Sequence, residues 1–430
     1  MLALTIPVFF AAFDLGTHFA KPAAWTEGAV DFAVEHQSDG FGFASQKRDV
    51  VNCMRRGGCT WHGLDVWEAR VYYGAEGATR VEMSLYNRGD DEEESEGLDA
   101  SALGRLLDAV AAKAEPGGKI DVNRVNRRRL GNGGVQLSKS WTRGDCNVDL
   151  AWGVSSAKAK DLTADFVRVT MYPKTGRRPR SAATSAAGSA SRAKVKENVR
   201  KTANGDVWID NVPMVDQGQK GYCTAAASER VLRYYGFDID QHEIAQIAGT
   251  TSSGGTSVEG TSEVIRAVCA KCRLSCTSIV SMVSDFRDIS NDLIQYNRAA
   301  RAEGESTLLL DDFVDKEDDR FNAGGMLMAM KPKLLKKIRM RDARYRKFLS
   351  GVRSQIDQGV PVVWGVVLGH YPEPGLPQTG GGHTRLIIGY NQATREILYT
   401  DTWGAGHELK RMPEDWAFAI TFEAFYLRPR

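Results

Sequence analysis

Apolar and polar positions partly alternate along residues 66–73, 79–86, 135–141, 148–154 and 166–172, five runs rich in β-branched and aromatic side chains. Gly, Asn and Asp bound each run, and that combination predicts strands. Between the second and third runs, residues 99–114 start acidic and then place Leu103, Leu106, Leu107 and Val110 at helical spacing. One helix is expected there. Residues 1–173 thus read as an N-terminal α+β domain with a mostly antiparallel sheet, and no internal repeat is visible.

The periodicity then breaks. Between Lys174 and Lys201, Ser, Ala, Gly and Arg replace the apolar pattern, and Val195 and Val199 are the only large hydrophobes. Residues 174–205 are read as a flexible linker. Beyond it, residues 222–235 have helical spacing and stop at Gly236, a glycine placed where a helix C-terminus favours one. Two further helices are expected around 258–270 and 345–357, and strands over 362–368, 385–390 and 397–400, separated by Pro/Gly loops. Residues 206–430 therefore form a second domain, helical first and sheet-rich later, so the whole chain is of the α+β class. The charged stretch 281–350 within it reads as partly helical and as a candidate lid or wall.

Composition narrows the classes. With 430 residues, 42% hydrophobic and 26% charged, the chain is neither collagen-like, coiled-coil nor membrane-spanning. Its longest apolar stretch, from Leu2 to Phe13, is interrupted by Thr5 and Pro7 and is too short to cross a bilayer. Two readings of it stay open, a secretory-signal remnant and a buried N-terminal strand. The net charge is +2, yet residues 174–201 carry nine basic residues against Glu197 alone, a local +8 that leaves the rest at −6. This strap lacks the aromatic side chains that stack on bases, so nucleic-acid binding is not expected. Seven cysteines are an odd number. If one is a reactive thiol, Cys53, Cys59, Cys146, Cys269, Cys272 and Cys276 can pair, which fits an oxidising, secreted or extracytoplasmic setting.

The reactive candidate is Cys223, at the start of its predicted helix. Unsatisfied amides and the positive end of the helix dipole there favour a thiolate. Gln217, six residues earlier, offers a side-chain amide that can join the Cys223 backbone N–H as a second donor to an oxyanion. Among seven histidines, His383 is the best placed as base. It follows Gly380-Gly381-Gly382 and enters the apolar run Leu386-Ile387-Ile388-Gly389-Tyr390. Asp401, immediately after the next predicted strand, can be brought beside it as the orienting group.

These residues resemble the papain-like cysteine peptidase superfamily over roughly residues 206–430: Gln217 and Cys223, then Gly382-His383 entering a strand that ends Gly389-Tyr390, then Asp401-Thr402-Trp403-Gly404. The order Gln, Cys, His, Asp is the superfamily's order. The resemblance implies a helical half and a β half, Cys223 as nucleophile, His383 as general base and acid, Asp401 as orienter and Gln217 as oxyanion donor. It also implies that Trp403 shields the His–Asp pair, that peptides or proteins are the substrates, and that no cofactor or metal is needed. Lys220 stands where the papain and cathepsin branch has a disulfide cysteine. The run from Cys223 through Thr224, Ala225 and Ala226 to Tyr234, Tyr235 and Gly236 is more similar to the bacterial C39-like peptidases. Those often act within ABC exporters, but no Walker loop is present here. Tyr222, Gly382, Trp403 and His370 are the substrate-cleft candidates.

The same sequence admits other readings. Cys269, Cys272 and Cys276 have a zinc-like spacing without an evident fourth ligand, so buried thiols or a disulfide are expected instead. The acidic run Asp90, Asp91, Glu92, Glu93, Glu94 and Glu96 lacks the glycine and alternation of a calcium loop and reads as a solvated hairpin end. For function, the alternatives are a catalytically silent peptide-binding relative and an acyl transferase, amidase or isopeptidase using the same triad. Residues 1–173 are expected to be either a propeptide or a binding domain.

Overall fold

A computed structural model describes residues 12–90, 98–129, 134–156, 162–176, 192–218, 221–237, 239–248, 265–266, 268–269, 272, 274–282, 286–315, 320–378 and 380–429. The chain divides into two compact units, Met1–Pro179 and Arg180–Arg430. The cut falls inside the segment read as a linker. Residues 177–191, the middle of that segment, lie outside the described residues, as do most of the helix expected over 258–270, the acidic run from 91 to 97 and the apolar start of the chain.

In the first unit, eight strands form one antiparallel sheet: β1 (Gly42–Phe43), β2 (Val50–Cys53), β3 (Glu68–Gly74), β4 (Gly77–Asn87), β5 (Asn126–Arg129), β6 (Val135–Arg143), β7 (Cys146–Ser156) and β8 (Leu162–Pro173). Their spatial order is β1-β2-β3-β4-β8-β7-β6-β5. All five predicted strands are present, and four of them run somewhat longer than the sequence pattern. Helix α1 (Ala100–Ala114) is capped by Asp99, whose carboxylate accepts from the Ala102 N–H at 2.7 Å, and it buries Leu103, Leu107 and Val110. The short strands β1, β2 and β5 carry too few alternating positions to stand out in sequence.

The second unit is built on a sheet in the order β9-β10-β13-β12-β16-β11: β9 (Val199–Lys201), β10 (Asp206–Ile209), β11 (Leu274–Ser281), β12 (Val362–Leu368), β13 (Gly381–Asn391) and β16 (Thr421–Pro429). Strand β14 (Glu396–Thr400) also pairs with β13, and β15 (Lys410–Pro413) pairs with β14. Strand β9 pairs with β10, and Val195 just before it is buried in the core. The end of the predicted strap is therefore part of this unit. Both of its large apolar residues lie in this described part, Val195 buried and Val199 in β9.

Period-two alternation divides β13 between two cores. Leu386 and Ile388 pack with helix α2 (Cys223–Tyr234) and α3 (Gln241–Ala248), whereas Ile387 packs with α7 (Arg344–Ile356) and the residues of α8 (Glu414–Ala419). The stretch between the halves folds as α4 (Phe286–Ala302), α5 (Ala323–Ala329) and α6 (Pro332–Arg339) around its own apolar cluster. Some of its charges pair within it, Lys337 with Glu303 and buried Arg339 with Asp292, while Lys336 reaches Asp415 on α8.

Helix α2 is buried from Thr224 to Leu232, so its polar side chains need partners. Arg230, 2% exposed, donates to the Pro213 carbonyl at 2.7 Å, the Asp401 carbonyl at 2.5 Å and the Thr400 hydroxyl at 2.8 Å. It thereby ties the Cys223 helix to the end of β14. Replacing Arg230 with Ala removes three donors from buried acceptors and is expected to cost about 3 kcal/mol or more. The check is the urea midpoint of the second unit's transition in the full chain, which an unimportant Arg230 would leave in place.

Candidate active site

Cys223 is the first residue of α2, and its side chain is partly exposed while the residues following it are buried. Gly236, at φ +83°, ends the helix in the left-handed conformation that glycine adopts without strain. His383 and Arg385 stand two residues apart on β13 and so share a face, while Thr384 points the other way. The Thr384 hydroxyl meets that of Thr224 at 2.9 Å, locking β13 to the first turn of α2.

Antiparallel pairing sets Leu386 opposite Thr400, so the chain leaving β14 delivers Asp401 to the His383 face. His383 Nε2 lies 2.9 Å from Asp401 Oδ1, and both side chains are fully buried. Its Nδ1 has no nitrogen or oxygen partner among the described residues. The Cys223 thiol lies near enough to this imidazole for each to shift the other's titration. Trp403 stacks on His383 with ring centroids 4.1 Å apart and planes 4° from parallel, covering one face of the ring.

The electrostatics favour an ion pair. Burial alone pushes the Cys223 thiol up, but the hydrogen bond and charge of His383, helped by the Thr384 N–H and hydroxyl, bring it below its ordinary value. Burial pushes His383 down, yet Asp401 and Cys223 together raise it. Asp401 likewise resists burial. Arg385, His383 and Lys410 hold its carboxyl far below the usual carboxylate range.

Gln217 is buried and fixed at both ends of its residue. Its N–H donates to the Thr402 carbonyl at 2.8 Å, and its Oε1 accepts from the Thr402 hydroxyl. The loop that carries Asp401 and Trp403 thus also holds Gln217. Gly404 sits at φ +73°, and a Cβ there would come within 2.6 Å of Asp216 Oδ2. A glycine is required for this approach.

Two of the four cleft candidates are placed elsewhere. Tyr222, 2% exposed, is a core residue packed in the α2 cluster, because the residue before a buried helix is carried inward with it. His370 is buried with Nε2 2.8 Å from the Leu327 carbonyl, so it joins the end of β12 to α5 instead of facing His383. Gly382 is exposed beside His383, and Trp403 is the stacking residue already described. All seven cysteines are free thiols. Cys269 and Cys272 are buried, and Cys276 hydrogen-bonds Cys269. No group of three or more metal-binding side chains occurs among the described residues.

Sequence reasoning missed the supporting residues Thr224, Arg230, Thr384, Arg385, Thr402 and Lys410. One signal was available. A charged Arg385 inside an otherwise apolar strand must have a buried counter-charge.

Residues 320–428 match the Peptidase_C39 like family. That stretch holds His383 and Asp401, while Gln217 and Cys223 precede it. Among solved structures, the chain is similar to the crystal structure of xylellain, a cysteine protease from Xylella fastidiosa, at 14% identity and a TM-score of 0.25, covering 55% of this chain and 88% of that one. No curated protein sequence matches. No helix among the described residues is long and apolar enough to cross a membrane. The match to the Peptidase_C39 like family thus falls on the part of the second unit that carries His383 and Asp401, and the structure sets the Cys223 thiol near that imidazole and carboxylate.

Proposed function

We propose that this domain hydrolyses peptide bonds in peptide or protein substrates through Cys223, His383 and Asp401, with Gln217 completing an oxyanion hole. One observation carries the reading. The buried His383 spends Nε2 on Asp401, and the Cys223 thiol lies near enough to the same imidazole to shift its titration, the relation a nucleophile, a base and an orienter require.

The Cys223 thiolate attacks the peptide carbonyl carbon, forming a C–S bond. The resulting oxyanion is held by the Cys223 N–H at the head of α2 and by the Gln217 side-chain amide. His383 then gives its proton to the leaving nitrogen as the C–N bond breaks. Neutral His383 next takes a proton from water, which attacks the thioester. The C–S bond breaks, the acid product leaves and the thiolate–imidazolium pair is restored. Asp401 keeps the imidazole in the tautomer and orientation that both transfers need.

An acylating, thiol-directed activity probe tests the reading by intact mass. The full-length protein is expected to gain one adduct, mapped by fragmentation to Cys223, and Cys223→Ala to gain none. An adduct that persists in the variant, or that maps to another cysteine, would remove the assignment.

A further inference from the structure

The carboxylate that orients His383 is itself held from behind. Asp401 Oδ1, the oxygen that meets His383 Nε2 at 2.9 Å, also lies 2.9 Å from Nε of Arg385. Arg385 is fully buried. Its Nη1 donates to Glu373 Oε1 at 3.0 Å, the Tyr399 hydroxyl donates to Glu373 Oε2, and the guanidinium lies 4.8 Å from the Tyr399 ring centroid. A guanidinium can engage two carboxylates at fixed angles because its donors form a rigid planar fork.

We propose that Arg385 is a positioning residue of the proposed peptidase mechanism, holding Asp401 on His383 and limiting how tightly Asp401 retains the imidazolium proton, with Glu373 setting the strength of that effect. The inference rests on the Cys223–His383–Asp401 reading above. A cation at ion-pair distance from the oxygen that meets His383 draws on the electron density that would otherwise hold the imidazolium proton. A guanidinium there makes Asp401 a weaker acceptor than an isolated buried carboxylate, so the imidazolium remains acidic enough to protonate the leaving amine. Glu373 draws part of the guanidinium's charge the other way. A buried charge needs a counter-charge, but folding alone does not require that charge to share the histidine's own oxygen.

The pair is faced by Cys223 and Arg230 from α2, Tyr399 from β14 and Lys410 from β15. The flanking loops add Asp216, His407 and Glu408. All seven stay in place in the variants below.

The test is the pH dependence of kcat and kcat/KM for the full chain. In Arg385→Met/Glu373→Leu, a buried ion pair is replaced by apolar side chains, a change such pairs often tolerate. Its kcat is expected to fall on the order of 10-fold with KM unchanged, and the alkaline limb, where the imidazolium loses its proton, to move to higher pH. Arg385→Lys keeps the charge and should return that limb toward wild type. Glu373→Gln leaves the guanidinium unopposed and should move the limb to lower pH. Unchanged limbs, or shifts of the opposite sign, overturn the proposal, and Glu373→Gln decides alone if the double variant does not fold. A wild type that takes no probe at Cys223 would instead sink the underlying mechanism, so the two failures are distinguishable.

Discussion

Cys223→Ala is expected to abolish turnover on any peptide substrate while leaving the second unit folded. The side chain removed is small and partly exposed, and the core around it is formed by Ala225, Val231, Leu232 and their partners, not by the sulfur. The loss should be on the order of 10⁴-fold or more, since removing a nucleophile costs about as much as removing a whole catalytic group of this kind. Cys223→Ser is the sharper control. It keeps the shape and the place beside His383 but offers a hydroxyl whose proton is far harder to remove, so it should bind substrate and still fail to turn over. Initial rates with a quenched fluorescent peptide, together with the urea midpoint of each variant, separate chemistry from folding. Residual hydrolysis by either variant above the no-enzyme rate would place the nucleophile elsewhere.

How much of this was legible beforehand follows from which forces act locally. Residues 222–235 read as a helix ending at Gly236 because helical period and a C-terminal glycine are both local signals, and α2 occupies residues 223–234. His383 was visible because glycines precede it and an apolar strand follows. Asp401 was visible because it directly follows a strand. The partners that hold these groups were not legible, because each depends on register. Arg230 reaches Thr400 and Asp401 across 170 residues, and Thr384 reaches Thr224 across 160. Tyr222 and His370 failed as cleft residues for the same reason. Their sequence neighbourhood is that of the site, but the helix turn and the β12–α5 contact aim them into packing. The end of the strap differs from a flexible linker, because Val199–Lys201 pair with β10, a register no local pattern shows.

His383→Ala is expected to be nearly as severe as Cys223→Ala, on the order of 10³-fold to 10⁴-fold in kcat, and its pH signature identifies the role. In the wild type, the active thiolate–imidazolium pair forms as pH rises through the lowered Cys223 value and is lost as pH rises further through the raised His383 value. Activity should therefore be bell-shaped, with an acid limb below the ordinary thiol range. Removing the imidazole takes away the charge and hydrogen bond that pull the thiol down and leaves burial, which pushes it up. The rate of Cys223 alkylation by iodoacetamide, followed against pH, should then show its acid limb moving upward, to or beyond the ordinary thiol value of about 8.5. His370→Ala supplies the contrast. Its ring is engaged with the Leu327 carbonyl, so the variant should alter rate or KM modestly and leave the alkylation limb where it was. An alkylation limb that moves in His370→Ala and stays fixed in His383→Ala would transfer the base to the other histidine.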